Sequence, residues 1–227
     1  MTRTRVALLF AAPLAALAFA VTSCGDDAPA EQRLLVLDGI EIRLAEIEPY
    51  VTFLDSFIPE GGRKTKIKRV LDEYLVPLRL AQRAFAAERR ELKERADALY
   101  SVAKNIVELE QQAALIKEKR RSNLSRMHAH LPVAMYAFDA LRVGAVSPPL
   151  EMPEGWYLVG TYDLRESPGH MLDDYVDALQ VGFITHTTSK WLEYYNQQRV
   201  ELADKATFVH PDYVTAMPDW IRVKKHP

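Results

Sequence analysis

Disulfides are the first thing this chain cannot have, because its 227 residues hold one cysteine, Cys24. With a single thiol nothing can be cross-linked within the chain, so the fold must be held by packing. Other absences narrow the chemistry. No HExxH, CxxC, GxSxG, P-loop or dinucleotide-type glycine pattern occurs, which leaves the common hydrolase, nucleotide and zinc mechanisms without sequence support. Of six histidines only His128 and His130 are close; two residues apart they share a face only in a strand, and no carboxylate cluster stands beside them. His170, His186, His210 and His226 are scattered. No metal, no cofactor and no catalytic residue is expected. Basic surplus is lacking too: 29 Lys and Arg face 31 Asp and Glu, a net charge of −2, which argues against nucleic acid as a partner.

What is present begins with a long apolar run. Arg3 and Arg5 precede Val6 to Val21, almost wholly Ala, Leu, Val and Phe. A positive start and a short apolar core read as a secretory signal peptide over residues 1–23, too short for a comfortable membrane span. The tetrad Val21-Thr22-Ser23-Cys24 resembles the bacterial lipobox, an apolar residue and two small ones before a cysteine. That resemblance implies cleavage before Cys24 and lipidation of its sulfur and new amino terminus. Several acyl chains at about 0.8 kcal/mol per buried CH2 make a far stronger anchor than one. Gly25 stands where many inner-membrane lipoproteins carry aspartate, so the expected place is the bacterial envelope, periplasm-facing, at the outer rather than the inner membrane. Loss of residues 1–23 leaves a net charge of −4. Residues 24–33 are a polar, lipidated tether.

The folded part starts at Leu34-Leu35-Val36-Leu37, a strand closed by the turn pair Asp38-Gly39 and followed by alternating Ile40-Glu41-Ile42. Leu44, Ile47, Val51, Leu54 and Phe57 or Ile58 then recur at helical steps as far as Pro59. Residues 59–62 are a loop. A second helix carries Ile67, Val70, Leu71, Tyr74, Leu75, Leu78 and Phe85 on one stripe, with Pro77 set to kink it. From Glu88 to Glu118 the charged sequence keeps a helical period through Leu92, Ala96, Leu99, Ile106, Leu109 and Ile116, as one long helix or a pair. Its charges suit a solvated face or, on a sharper reading, a partner-binding one. Tyr175, Val176, Leu179 and Phe183 also fit helical spacing, which predicts a helix in residues 168–187 packed on the N-terminal part. The tail, PDYVTAMPDWIRVKKHP, either latches back on the body or serves as a partner tag.

Several stretches together resemble one family. VLDGIEIRLAEIEPYVTFL followed by KRVLDEYLVPLRLAQRA looks like the strand-turn-helix-helix entry of SurA- and PrsA-like periplasmic foldases. Leu141-Arg142-Val143-Gly144-Ala145-Val146-Ser147, running on to Gly155-Trp156-Tyr157-Leu158-Val159, is similar to the end of a parvulin-type prolyl isomerase domain. SNLSRMHAHLP, residues 122–132, lies on that family's Gly-Asp-Leu-Gly-aromatic stretch with Leu124 kept. Trp191, Leu192, Tyr195 and Leu202, then Lys205 to Val209, are similar to its closing helix and strand.

The resemblance implies an α+β fold, mainly α: a long-helix, chaperone-like lobe beside a small, incomplete parvulin-like β lobe. The expected regions are 34–121, a helical SurA-N-like region completed by the C-terminal helix; 122–167, a degenerate parvulin-like segment; and 168–227, the C-terminal helix, strand and tail. A working parvulin turns X-Pro bonds over a barrier of about 18–20 kcal/mol beside paired histidines. Here the family's first-strand signature has no counterpart, and Tyr157 stands in place of the closing-strand histidine. The function implied is a membrane-anchored chaperone for exported, unfolded polypeptides, with an active prolyl isomerase or a structural subunit of an envelope assembly as alternatives. Leu131, Met135 and Phe138 are candidates for an apolar peptide-binding patch beside Trp156 and Tyr157, or else plain core. A client cleft is also expected between the long helices and the β lobe. Oligomeric state is left open.

Overall fold

The computed structural model describes residues 32–138, 142–185 and 188–223. Cys24, the signal segment and most of the tether, together with Leu141, His186 and His226, lie outside the described residues. The chain is mainly helical α+β, with two small antiparallel sheets.

β1 (Arg33–Leu37) and β2 (Ile40–Arg43) form a hairpin through Asp38 and Gly39, both at positive φ. Asp-Gly suits the primed two-residue turn whose twist matches that of the strands. α1 (Leu44–Phe57) buries the expected stripe of Leu44, Ile47, Val51, Leu54 and Phe57, and Glu46 reaches back to the Arg43 backbone N–H at 3.1 Å. The helix stops just ahead of Pro59, which disfavours helical backbone in the residue before it.

α2 (Arg63–Val70) and α3 (Val76–Ala84) are joined by a π-helical turn, Leu71–Leu75. Pro77 has no N–H to donate, and the interruption expected there takes this wider form. In the π register the acceptor opposite Pro77 is the carbonyl of Asp72. It is satisfied instead by the Tyr195 hydroxyl, 3.2 Å away.

The charged region resolves into a pair of helices, α4 (Ala86–Val102) and α5 (Ile106–Gln112). No glycine or proline breaks them. Asn105 does, by taking extended backbone and accepting the Glu108 N–H at 3.0 Å, while Glu108 accepts the Lys104 N–H at 2.7 Å. The side-chain capping satisfies N–H groups that a helix start leaves unpaired.

β3 (Lys119–Ser125), β4 (Leu150–Met152), β5 (Gly155–Arg165) and β6 (Tyr175–Ile184) form the larger sheet, in the order β3-β6-β5-β4. β6 corrects the helix expected over residues 168–187. It is an interior strand whose two faces are covered over different stretches, Val176 and Ala178 by the main core and Leu179, Val181 and Phe183 by the smaller one, so its apolar residues do not alternate with polar ones and the run mimics helical spacing. α6 (Leu131–Ala137) packs on one face of this sheet, α4 and α5 on the other. α7 (Thr188–Leu202) and β7 (Ala206–Val209) then return to the first lobe, where β7 pairs with β1. The tail latches on: Ala216, Met217 and Ile221 are buried in the main core, and the Trp220 indole donates to Asp72 Oδ1 at 3.0 Å.

Two cores result. The main one runs from β1 and α1–α3 through α6 to α7 and the tail; the smaller one lies between α4, α5 and the sheet. Packing therefore places α4 and α5 with the four-stranded sheet, and β6 with β3–β5, across the sequence-based divisions at residues 121 and 167.

Candidate functional site

Along a strand successive side chains point to opposite faces, and this decides what each face of the large sheet can do. Leu158, Leu179, Val181 and Phe183 turn toward α4 and α5 and are buried there with Ile106 and Leu109. Ser122, Leu124, Tyr157 and Gln180 turn the other way, where α6 covers only part of the sheet. The uncovered part is a groove of about 780 Å³, walled by these residues with Val133, Met152 and Glu154 and rimmed by Lys117, Lys119 and Arg120.

The centre of the groove is a polar cluster. Glu154 is only 4% exposed, with Oε1 3.8 Å from His130 Nε2. Burial, then the nearby carboxylates of Glu154 and Glu118, push the pKa of Tyr157 well above its ordinary value. Gly182 on β6 makes the room: a Cβ there would lie 2.9 Å from the Tyr157 ring. Across the groove the Gln180 amide reaches Ser122 Oγ at 3.4 Å.

Glu154 is held in place from a distance. Arg89, near the start of α4, is buried and donates to the carbonyls of Met152 (2.8 Å) and Pro153 (2.7 Å) and to Glu151 Oε1 (3.0 Å). The Tyr74 hydroxyl donates to the Glu151 carbonyl at 3.1 Å, and Gln82 to Glu151 Oε2 at 3.0 Å. Three residues of the helical segment thus pin the β4–β5 turn.

A second hollow, about 420 Å³, opens between the lobes. Tyr74 and Pro77 form one side, Trp191, Leu192 and Tyr195 of α7 another, and Met127, Leu131 and Pro153 the floor. It shares His128, Ala129, His130 and Glu154 with the groove, so the two meet at the polar cluster. Leu192 is half exposed. Burial first, then Asp72, raises the pKa of Tyr195.

The five candidate peptide-binding residues are not brought into one patch. Tyr157 lines the groove and Leu131 the inter-lobe hollow. Met135 is half-buried and lines neither. Phe138 is buried in the core under the guanidinium of Arg126, 4.5 Å from its ring centre. Trp156, the strand neighbour of Tyr157, turns to the opposite face, and its indole donates to the Arg89 carbonyl at 3.0 Å. Sequence reasoning missed Glu154, His130, Gln180 and Arg89. Met-Pro-Glu-Gly between two strands was the available signal for a turn at Glu154.

The groove holds no thiol, and His128 and His130 stand exposed at its rim. Among the described residues no group of three His, Cys, Asp or Glu side chains is arranged to hold a metal ion, and no helix is long and apolar enough to cross a membrane. What the arrangement offers is the hydroxyl, amide and carboxyl groups of Ser122, Tyr157, Gln180 and Glu154 over a floor of buried Leu124, Val133 and Met152, continuous with an aromatic hollow. Compared with known proteins, the chain matches no family model, no curated protein and no solved structure.

Proposed function

We propose that this chain is a lipid-anchored, periplasm-facing chaperone of the SurA- and PrsA-like kind, which holds extended segments of unfolded, exported polypeptides. One observation carries the reading: the groove on the sheet runs into the aromatic hollow between the lobes at Glu154 and His130. An extended chain lying there would bury apolar side chains against Ile184, Met127 and Leu192 while its amides meet Gln180, Ser122 and Tyr157. Mixed walls of this type give modest affinity for many sequences, which suits a holder of clients.

The anchor is the lipid on Cys24, and the tether ends at β1. A second reading, prolyl isomerase, draws on the apolar floor beside the Tyr157 hydroxyl, a place for a proline ring beside a hydrogen-bond donor. His128 and His130 stand exposed at the rim of the groove rather than enclosed in a proline pocket, and no thiol lines it, so holding is the better-supported activity.

The test is made on the soluble form beginning at Gly25. It should suppress aggregation of an unfolded outer-membrane protein and show no rate in a protease-coupled prolyl isomerisation assay. Leu192→Glu, at a half-exposed position, should leave the fold intact and weaken protection several-fold. Catalysis that falls on Tyr157→Ala would establish the isomerase instead. Absence of both activities, with one dedicated partner recovered from envelope extracts, would replace the chaperone with a structural subunit.

A further inference from the structure

β3 is an edge strand, bonded to β6 on one side only. The Gly182 N–H donates to the Glu118 carbonyl at 2.8 Å. That fixes which residues of the antiparallel ladder turn inward: pairing alternates, so Arg120, Ser122 and Leu124 direct their backbone groups at β6, opposite Gln180, Ala178 and Val176. Lys119, Arg121 and Asn123 direct theirs outward. Ser125, next in that outward series, has its carbonyl taken by the Ala129 N–H at 3.1 Å. No described strand covers the rest. The groove wraps this edge, for it is lined by Lys119 and Arg120, then Ser122 to Ser125, without the alternation that contact with one face would give.

The edge is also charged. Arg121 is engaged by Asp177 at 2.6 Å, and Arg126 by Asp174 at 3.1 Å. Lys117, Lys119 and Arg120 form no ion pair among the described residues. Glu118 is the one exposed carboxylate lining this end, and Glu154 is buried against Tyr157 and His130. An acidic protein therefore presents a positive rim at its groove.

Resting on the chaperone reading above, we infer that the occupant of the groove is an extended polypeptide segment bearing Asp or Glu, which adds as a strand to the open edge of β3. Backbone groups of Lys119, Arg121 and Asn123 supply the ladder, and Lys117, Lys119 and Arg120 meet the acidic side chains. Main-chain bonds give such strand addition its affinity and side chains its selectivity. A basic edge of this kind would also repel a second copy of itself.

Fluorescence anisotropy of the soluble form tests this with three labelled ten-residue peptides, equal in apolar content and carrying Glu, Gln or Lys at two positions. The expected order is Glu tightest and Lys weakest, the spread narrowing as salt shortens the reach of the rim charges. Arg120→Glu should weaken the Glu peptide about tenfold, a loss of about 1.4 kcal/mol. Asn123→Pro removes an outward N–H without touching the ladder to β6, a position where edge strands tolerate proline. Circular dichroism and melting should confirm that this variant folds, and it should bind none of the peptides. Equal affinities for the three peptides, binding to Asn123→Pro like that of the wild type, or no binding at all would overturn the inference. If aggregation of an outer-membrane protein is still suppressed in any of those cases, the chaperone reading stands without it; if suppression also fails, both fall.

Discussion

On β5, Leu158 is fully buried while Tyr157, one residue earlier, lines a groove; on β6, Leu179, Val181 and Phe183 meet α4 and α5 while Gln180 and Ile184 meet open space. The closed face is a dry layer of apolar side chains with close tolerances. A Cβ on Gly160 would lie 2.3 Å from Ile106 Cδ1, a collision that sets how near α5 can come. The groove face instead places hydroxyl, amide and carboxyl groups where apolar ones would pack better. Those polar groups are available to whatever enters the groove.

The difference can be broken most severely at the anchor of the groove face. Arg126, at the end of β3, and Asp174, just before β6, form a buried ion pair beneath Phe138 and Phe57. Asp174→Ala strands the guanidinium in the interior and should cost about 3–5 kcal/mol in denaturant unfolding; a loss under about 1 kcal/mol would show that the pair is dispensable. Next, Leu158→Ala should cost about 2–5 kcal/mol and, on the proposed chaperone reading, the folded fraction should suppress aggregation to the same extent as the wild type. Reduced protection per folded molecule would mean that the faces are coupled.

Gly160→Ala should cost about 1–3 kcal/mol by overpacking against Ile106 and Leu109, again without altering peptide binding. The mildest change is Tyr157→Phe, which removes a largely buried hydroxyl near Glu154 and should change stability by no more than about 1 kcal/mol near neutral pH. Its pH dependence is more telling. Because folding raises the tyrosine pKa above 10.0, the folded state keeps a proton that the unfolded chain releases. The stabilisation is complete below pH 10 and is lost as pH rises toward the folded value, by about 1.4 kcal/mol per pH unit. Stability curves of wild type and Tyr157→Phe should therefore converge above pH 10; parallel curves would place that phenol in water.

Local signals made much of the first lobe legible. Asp38-Gly39 specified its turn, the stripe from Leu44 to Phe57 its helix, and Trp191 to Val209 the returning helix and strand. β6 was misread because its first half is buried on one face and its second half on the other, which erases the period of two that marks strands. The α4–α5 break was hidden because Asn105 ends a helix by capping the next one, with no glycine or proline to announce it. Tyr157 could be singled out from sequence, yet its partners could not: Glu154 reaches the groove only because Arg89, 64 residues before Pro153, grips that turn. Trp156 and Tyr157 were grouped beside one patch, although neighbours on a strand turn to opposite faces.

β1 is the middle strand of its sheet, with β2 on one side and β7 on the other. β2 follows it at once during synthesis, whereas β7 begins only at Ala206. Leu34, Leu35 and Leu37 are fully buried in the finished protein, and that burial is incomplete until nearly the whole chain has been made. The first lobe to emerge is thus the last to close, and a nascent chain stalled before residue 206 carries an open strand edge that only its own C-terminus can cover.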